Sequence, residues 1–152
     1  MSQNVILLVE DQPDDVRLFQ FALTSWNVPN PLRVVTTGDE ALAYLAGQSL
    51  YADRKLYPLP ALILLDLSLP QLSGFEVLKW IRSRSEFKQV PIVVLSASEE
   101  RRDIDHAYEL GANSYLIKTP DLNKLFTLIQ DLNDFVLAPF NPQSVIQLRD
   151  SK

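Results

Sequence analysis

Leu62-Ile63-Leu64-Leu65-Asp66-Leu67-Ser68-Leu69-Pro70 decides the fold. An unbroken apolar run ends in a carboxylate and then breaks into a loop that carries a proline. Such a run, bounded by turn residues, reads as a strand buried on both faces, as strands of parallel sheets are. Asp66 then stands at the carboxyl end of a central strand, where open α/β sheets hold their ligand crevices.

The same signature recurs along the chain. Val5-Ile6-Leu7-Leu8-Val9 ends in Glu10-Asp11, Ile92-Val93-Val94-Leu95 ends at Ser96, and Asn113-Ser114-Tyr115-Leu116-Ile117 ends at Lys118. Leu32-Arg33-Val34-Val35 is a fifth strand candidate. Helical spacing separates them. Val16, Leu18, Phe19, Ala22, Leu23 and Trp26 follow Pro13-Asp14-Asp15, a proline and two acids suited to a helix start. Ala41, Leu42, Tyr44 and Leu45 follow Thr37-Gly38-Asp39. A third helix opens at Gly74 and is expected to run to about Phe87. A fourth starts near Glu99-Glu100 and stops at Leu110-Gly111, and a fifth is capped by Asp121, with Leu122, Leu125, Phe126, Ile129 and Leu132 inward. Between Gly47 and Pro60 the periodicity is lost, which reads as a solvated surface excursion or as a partner surface, the former preferred.

Five strands alternating with five helices predict an α/β fold: a doubly wound, five-stranded parallel sheet in the flavodoxin-like order, a (βα)5 sandwich. Right-handed crossovers bring Glu10, Asp11, Asp66, Ser96 and Lys118 to one sheet edge. The chain has 152 residues, of which 47% are hydrophobic and 22% charged, as expected of one soluble domain. Its net charge of -5 argues against nucleic acid and anionic membrane as partners. No apolar run is long enough to span a bilayer, no secretory leader is evident, and no cysteine is present, so a cytoplasmic protein is expected.

Carboxylates gathered at one edge repel one another unless a positive charge joins them. A hard divalent cation such as Mg2+ suits carboxylate and water ligands and often binds beside phosphoryl oxygens. Lys118 adds a point charge suited to phosphate, and Ser96 a hydroxyl donor. In that setting Asp66 is a phosphoryl acceptor, and the product is an acyl phosphate. Taken singly, each residue has an ordinary reading as a turn residue, cap or surface charge; their recurrence at successive strand ends favours the site.

The set resembles the receiver domain of two-component response regulators. The matching pieces are Val9-Glu10-Asp11, Leu65-Asp66-Leu67-Ser68-Leu69-Pro70 with Ser73-Gly74, Leu95-Ser96-Ala97 and Tyr115-Leu116-Ile117-Lys118. The resemblance implies Asp66 as phosphoacceptor from a sensor histidine kinase, and Asp11, Asp66 and the Ser68 carbonyl as direct Mg2+ ligands, with Glu10 acting through water. It implies Ser96 as the switch hydroxyl, Tyr115 as the switch aromatic and Lys118 as the partner of the phosphoryl oxygens. Tyr115 also reads as a half-exposed strand residue with no switching role. In this fold Ser68 and Ser98 flank the phosphoryl group and are expected to tune its lifetime. The Glu10-Asp15 stretch, the long excursion, the Asn113–Lys118 run and the apolar tail look like the small stand-alone regulators that partner cyanobacterial phytochromes. Thr119 stands between Lys118 and Pro120 where most receivers have proline directly, leaving the Lys118-Thr119 bond either cis or trans.

The expected organisation is a receiver over residues 1–137 and a tail over 138–152 with no output domain. The protein is then a phosphoacceptor signalling protein rather than an enzyme, acting by protein contact or phosphorelay. A homodimer through the last strand, last helix and tail is expected from the apolar residues Phe135, Val136, Leu137, Phe140, Val145, Ile146 and Leu148. Two alternatives stay open. One is a pseudo-receiver that binds without being phosphorylated; the other is a metal-dependent phosphohydrolase, disfavoured by Ser68 where a second acid is usual.

Overall fold

The computed structural model describes residues 4–28 and 30–118, together with Asn123 and Thr127. Five strands, β1 (Val5–Val9), β2 (Leu32–Val35), β3 (Pro60–Asp66), β4 (Ile92–Ser96) and β5 (Ser114–Ile117), form one parallel sheet in the order β2-β1-β3-β4-β5. Helices α1 (Pro13–Ser25), α2 (Gly38–Ala46), α3 (Gly74–Ser83) and α4 (Arg101–Glu109) connect them. The expected doubly wound fold is present. The fifth helix, the tail and the Lys118-Thr119 bond lie outside the described residues.

Strand alternation divides the core into two layers. Leu7, Val9, Ile63, Leu65, Ile92 and Val94 face Ala41, Tyr44 and Leu45 of α2, Val77, Leu78 and Ile81 of α3, and Ala107 of α4. Ile6, Leu8, Leu62, Leu64, Val93 and Leu95 face Phe19 and Leu23 of α1. Strands with apolar residues on both faces are therefore sandwiched, each large side chain contributing about 1.5–3 kcal/mol by its burial. Leu18, counted in the apolar stripe of α1, lies outward at the helix surface. Trp26 falls just past the helix end.

Local signals set the helix starts on the functional side. Pro13 occupies the first turn of α1, where its missing N–H costs nothing. Thr37 caps α2 by accepting from the Glu40 N–H. Ser73 and Glu76 form a reciprocal capping box on α3. The third helix stops at Ser83 rather than near Phe87, and Ser85–Phe87 form a separate 3-10 turn. Arg82 imposes this break: its guanidinium donates to the carbonyls of Phe87 and Gly111 and to Asn113 Oδ1, drawing the turn back under the helix. Burial lowers the Arg82 pKa to about 10.

The 47–60 connection is exposed over much of its length, as a solvated excursion would be, yet it is pinned to α2. Tyr44, Tyr51 and Tyr57 pack ring against ring, with centroids 5.0–6.0 Å apart. The Tyr44 hydroxyl donates to the Pro58 carbonyl at 2.8 Å, and Tyr51 donates to Glu40 Oε2 at 3.0 Å. Burial, then that carboxylate, pushes the Tyr51 pKa up to about 12. Arg54 closes the unit by donating to the carbonyls of Tyr44, Leu45 and Tyr57, the first two of which belong to the last turn of α2.

Candidate functional site

The candidate site lies along the carboxyl edge of the sheet. Glu10 directly follows β1, Asp66 closes β3, Ser96 closes β4 and Lys118 directly follows β5. Because β1, β3 and β4 are buried on both faces, their end residues are held by ladders that have no freedom to slip register. Glu10, Asp66 and Ser96 are all buried.

Lys118 organises the charges. Its Nζ lies 2.6 Å from Glu10 Oε1, 2.9 Å from Asp15 Oδ2 and 3.2 Å from Asp66 Oδ2. Burial alone lowers an ammonium pKa, yet the contacts with Glu10 and Asp15, and the charges of Asp66 and Glu10, raise that of Lys118 above its ordinary value. Glu10 is pushed up to about 7, by burial first and by neighbouring Asp66 second, with Lys118 opposing both. Asp66 is fixed at both oxygens: Oδ1 accepts from the Ser68 N–H at 3.0 Å, and Oδ2 faces Lys118. The Gln12 N–H donates to Glu10 Oε2 at 3.2 Å, so the turn into α1 also orients that carboxylate.

One oxygen each from Glu10, Asp11 and Asp66 lies within 4.8 Å of the others. Asp11 Oδ1 is buried without a hydrogen-bond partner among the described residues. An orphaned carboxylate oxygen beside two buried acids carries a desolvation cost that a cation would offset. The donors are all hard oxygens, so the residues present fit Mg2+ or a similar divalent ion.

Ser96, Ser98 and Tyr115 form the opposite wall. The Lys118 N–H donates to the Ser96 carbonyl at 2.7 Å, joining β5 to β4 at the site. Ser96 Oγ accepts from the Ser98 N–H at 3.0 Å. The Ser98 hydroxyl donates to Asp103 Oδ2 at 2.6 Å and accepts from the Glu100 N–H at 3.2 Å, so it braces the start of α4. Tyr115 is buried, not half-exposed, and its hydroxyl donates to the Ser98 carbonyl at 2.9 Å. Ser68 is exposed beside Asp66.

Glu10, Asp11, Asp66, Ser68, Ser96, Ser98 and Lys118 thus fall at or just beyond the strand ends, with Glu10, Asp11, Asp66 and Lys118 in one cluster and Ser68 bonded to it, while Tyr115 lies within β5 and reaches the Ser98 carbonyl through its hydroxyl. Asp15 joins the cluster and was read from sequence only as a helix-start acid. The sequence places it in the first turn of α1, four residues after Asp11.

Three comparisons agree with this geometry. Residues 6–130 match the model of the response regulator receiver domain. The chain is 41% identical over 133 residues, 88% of either protein, to "Response regulator Rcp1" of Synechocystis sp.. Among solved structures it is similar to the Mn(2+)-bound form of response regulator Rcp1, with a TM-score of 0.75 and 39% identity over 91% of this chain and 97% of that one. It is also similar to a phosphorylated cyanobacterial phytochrome response regulator, RcpA, with a TM-score of 0.78 and 41% identity over the same shares. With its sheet order, its edge carboxylates and these matches in accord, the chain belongs to the response regulator receiver domain family.

Proposed function

We propose that Asp66 accepts a phosphoryl group from the phosphohistidine of a phytochrome-type sensor histidine kinase. The carboxylate attacks phosphorus, the P–N bond breaks as the P–O bond forms, and the leaving imidazole keeps its electron pair and takes up a proton. The observation that carries this reading is the double fixation of Asp66 between the Ser68 N–H and Lys118, which leaves a buried nucleophile aimed and partly neutralised.

Glu10, Asp11, Asp66 and the Ser68 carbonyl are the proposed holders of Mg2+, Glu10 acting through water. When bound, the cation neutralises charge on the transferring oxygens. Lys118 pairs with a phosphoryl oxygen, and the Ser96 hydroxyl is drawn to another. Tyr115 follows Ser96 through its bond to the Ser98 carbonyl. Ser68 and Ser98 set how long the acyl phosphate survives; bulkier or acidic substitutions there change that lifetime, and unchanged lifetimes would remove this role. The phytochrome assignment is supported by the likeness to RcpA, a phytochrome response regulator by title.

The output is a protein contact or a relay step. A homodimer through β5, the last helix and the tail is part of the proposal, supported by the position of β5 at the sheet edge. Sedimentation of the intact chain against one ending at Leu137 tests it, and a monomer in both would end it.

The decisive experiment is intact-protein mass after incubation with acetyl phosphate. A gain of one phosphoryl group that requires both Mg2+ and Asp66, and is absent from Asp66→Asn, is the expected result. No gain from acetyl phosphate or from a phosphorylated phytochrome kinase would refute it and leave a binding module.

A further inference from the structure

We propose that Asp15 is a latch on Lys118, a positioning residue that holds the ammonium in the resting site and releases it when a phosphoryl group arrives on Asp66. The proposal rests on the acceptor reading of Asp66 and adds to it a residue that sets the balance between the resting and phosphorylated forms.

An ammonium has three N–H donors. In the resting site Nζ donates to Asp15 Oδ2 at 2.9 Å and to Asp66 Oδ2 at 3.2 Å, and Glu10 Oε1 makes a third ion-pair contact at 2.6 Å. Phosphorylation bonds one Asp66 oxygen to a group with three further acceptors and nearly two negative charges. Lys118 gains by turning toward those oxygens, and one older contact has to yield.

Burial decides which. The Glu10 side chain is 0% exposed and Asp66 2%, so neither finds water when its counter-charge leaves. Asp15 is 35% exposed. It also lies in the first turn of α1, whose free N–H groups favour a carboxylate with or without the lysine. Release from Asp15 therefore costs little, whereas release from Glu10 leaves a buried carboxyl oxygen with neither lysine nor water. Asp15 is the contact that competes with the phosphoryl group and the one that lets go.

The arrangement also crosses the fold. Lys118 directly follows β5 while Asp15 belongs to α1, so the latch ties the strand end carrying the lysine to the helix beside Glu10-Asp11. Opening it uncouples those two elements as Lys118 swings toward Asp66.

Two measurements on the full chain test the latch. In calorimetric titrations at saturating Mg2+, Asp15→Asn should bind beryllofluoride, a mimic of the phosphoryl group, about threefold more tightly, the size expected of a partly exposed ion pair. In the metal-free protein without any phosphoryl mimic, Lys118 of the same variant should be acetylated faster by an N-hydroxysuccinimide ester, read by peptide mass spectrometry. Asp15→Glu, which keeps the carboxylate, should restore both values toward those of the intact chain. A folded Asp15→Asn chain with unchanged or weaker beryllofluoride binding overturns the latch while the acceptor reading stands. An intact chain that binds no beryllofluoride overturns both.

Discussion

Replacing Gly74 by alanine separates two physical effects of opposite sign at the functional edge. Gly74 is the first residue of α3, and helix propensity alone predicts a gain of up to about 1 kcal/mol for glycine to alanine. The packing predicts a loss. A Cβ at this position would lie 2.3 Å from the Asp66 carbonyl oxygen and 2.5 Å from Leu67 Cα. Contact at an ordinary 3.4 Å requires the backbones to part by about 1 Å, and both are anchored, one in a central strand and the other at a capped helix start. Overpacking against backbone costs about 2–3 kcal/mol, more than propensity returns.

The displaced atoms belong to Asp66 and to the turn leading to Ser68. A misplacement of about 1 Å lowers a positioned reaction by about a hundredfold. Gly74→Ala should therefore lower the urea midpoint with an unchanged slope, and label from acetyl phosphate far more slowly than the loss of folded protein explains. Stability is read by tryptophan fluorescence in urea, and labelling by intact mass at a temperature where the variant is folded. A variant at least as stable as the parent and labelled at the parent rate would refute the packing argument.

Arg54→Ala removes three hydrogen bonds from carbonyls of α2 and the 47–60 connection and should cost about 2–3 kcal/mol in urea unfolding. Labelling of Asp66 should stay unchanged, because Arg54 braces the amino end of β3 while Asp66 lies at its carboxyl end, about 20 Å along the strand. A loss below about 0.5 kcal/mol would remove the anchoring role of Arg54. For Glu10, the folded-state pKa of about 7 exceeds the ordinary 4.5, so the native chain keeps a proton that the unfolded chain has released. Metal-free stability should thus fall as pH rises from 4.5 to 7, by up to about 3 kcal/mol, and level off above. Glu10→Gln should remove this component; equal pH slopes for parent and variant between those limits would contradict it.

Strands were legible because a parallel sheet leaves a strong trace. Both faces of β1, β3 and β4 are buried, so each is an apolar run, and each functional residue is the first polar residue after or at the end of one. That rule placed Glu10, Asp66 and Ser96, while Lys118 follows β5, a shorter and only partly buried edge strand. The 47–60 connection left no such trace: Tyr51 and Tyr57 follow no secondary-structure period, and they meet Tyr44 of α2 where a 3-10 turn and Arg54 fold the segment onto that helix. The end of α3 was misread for a related reason. Phe87 is buried and fits the apolar pattern, yet it reaches the core from a separate turn held by Arg82, whose partners lie at positions 111 and 113. Asp15 was overlooked because an acid in a first helical turn already has a sufficient local reason to be there.

The contacts around Ser96 show how one event at Asp66 would become a rearrangement of the β4–α4 wall. Ser96 Oγ accepts from the Ser98 N–H, the Ser98 carbonyl holds the Tyr115 hydroxyl, and the Ser98 side chain is bonded to Asp103 and the Glu100 N–H. Turning the Ser96 hydroxyl toward a phosphoryl oxygen takes its lone pairs away from the Ser98 N–H. Residue 98 then moves with its other bonds or breaks them, and Tyr115 and the start of α4 move with it. Because these bonds share one residue, the intermediate positions satisfy fewer of them than either end state, which favours two discrete arrangements over a graded one. Beryllofluoride should therefore shift the NMR signals of Tyr115, Ser98 and Asp103 together, in slow exchange, with one common midpoint. Tyr115→Phe should leave Ser98 and Asp103 coupled but release the ring from the transition. Signals of Ser98 and Asp103 that stay in place while Asp66 is saturated would break the chain at its first link.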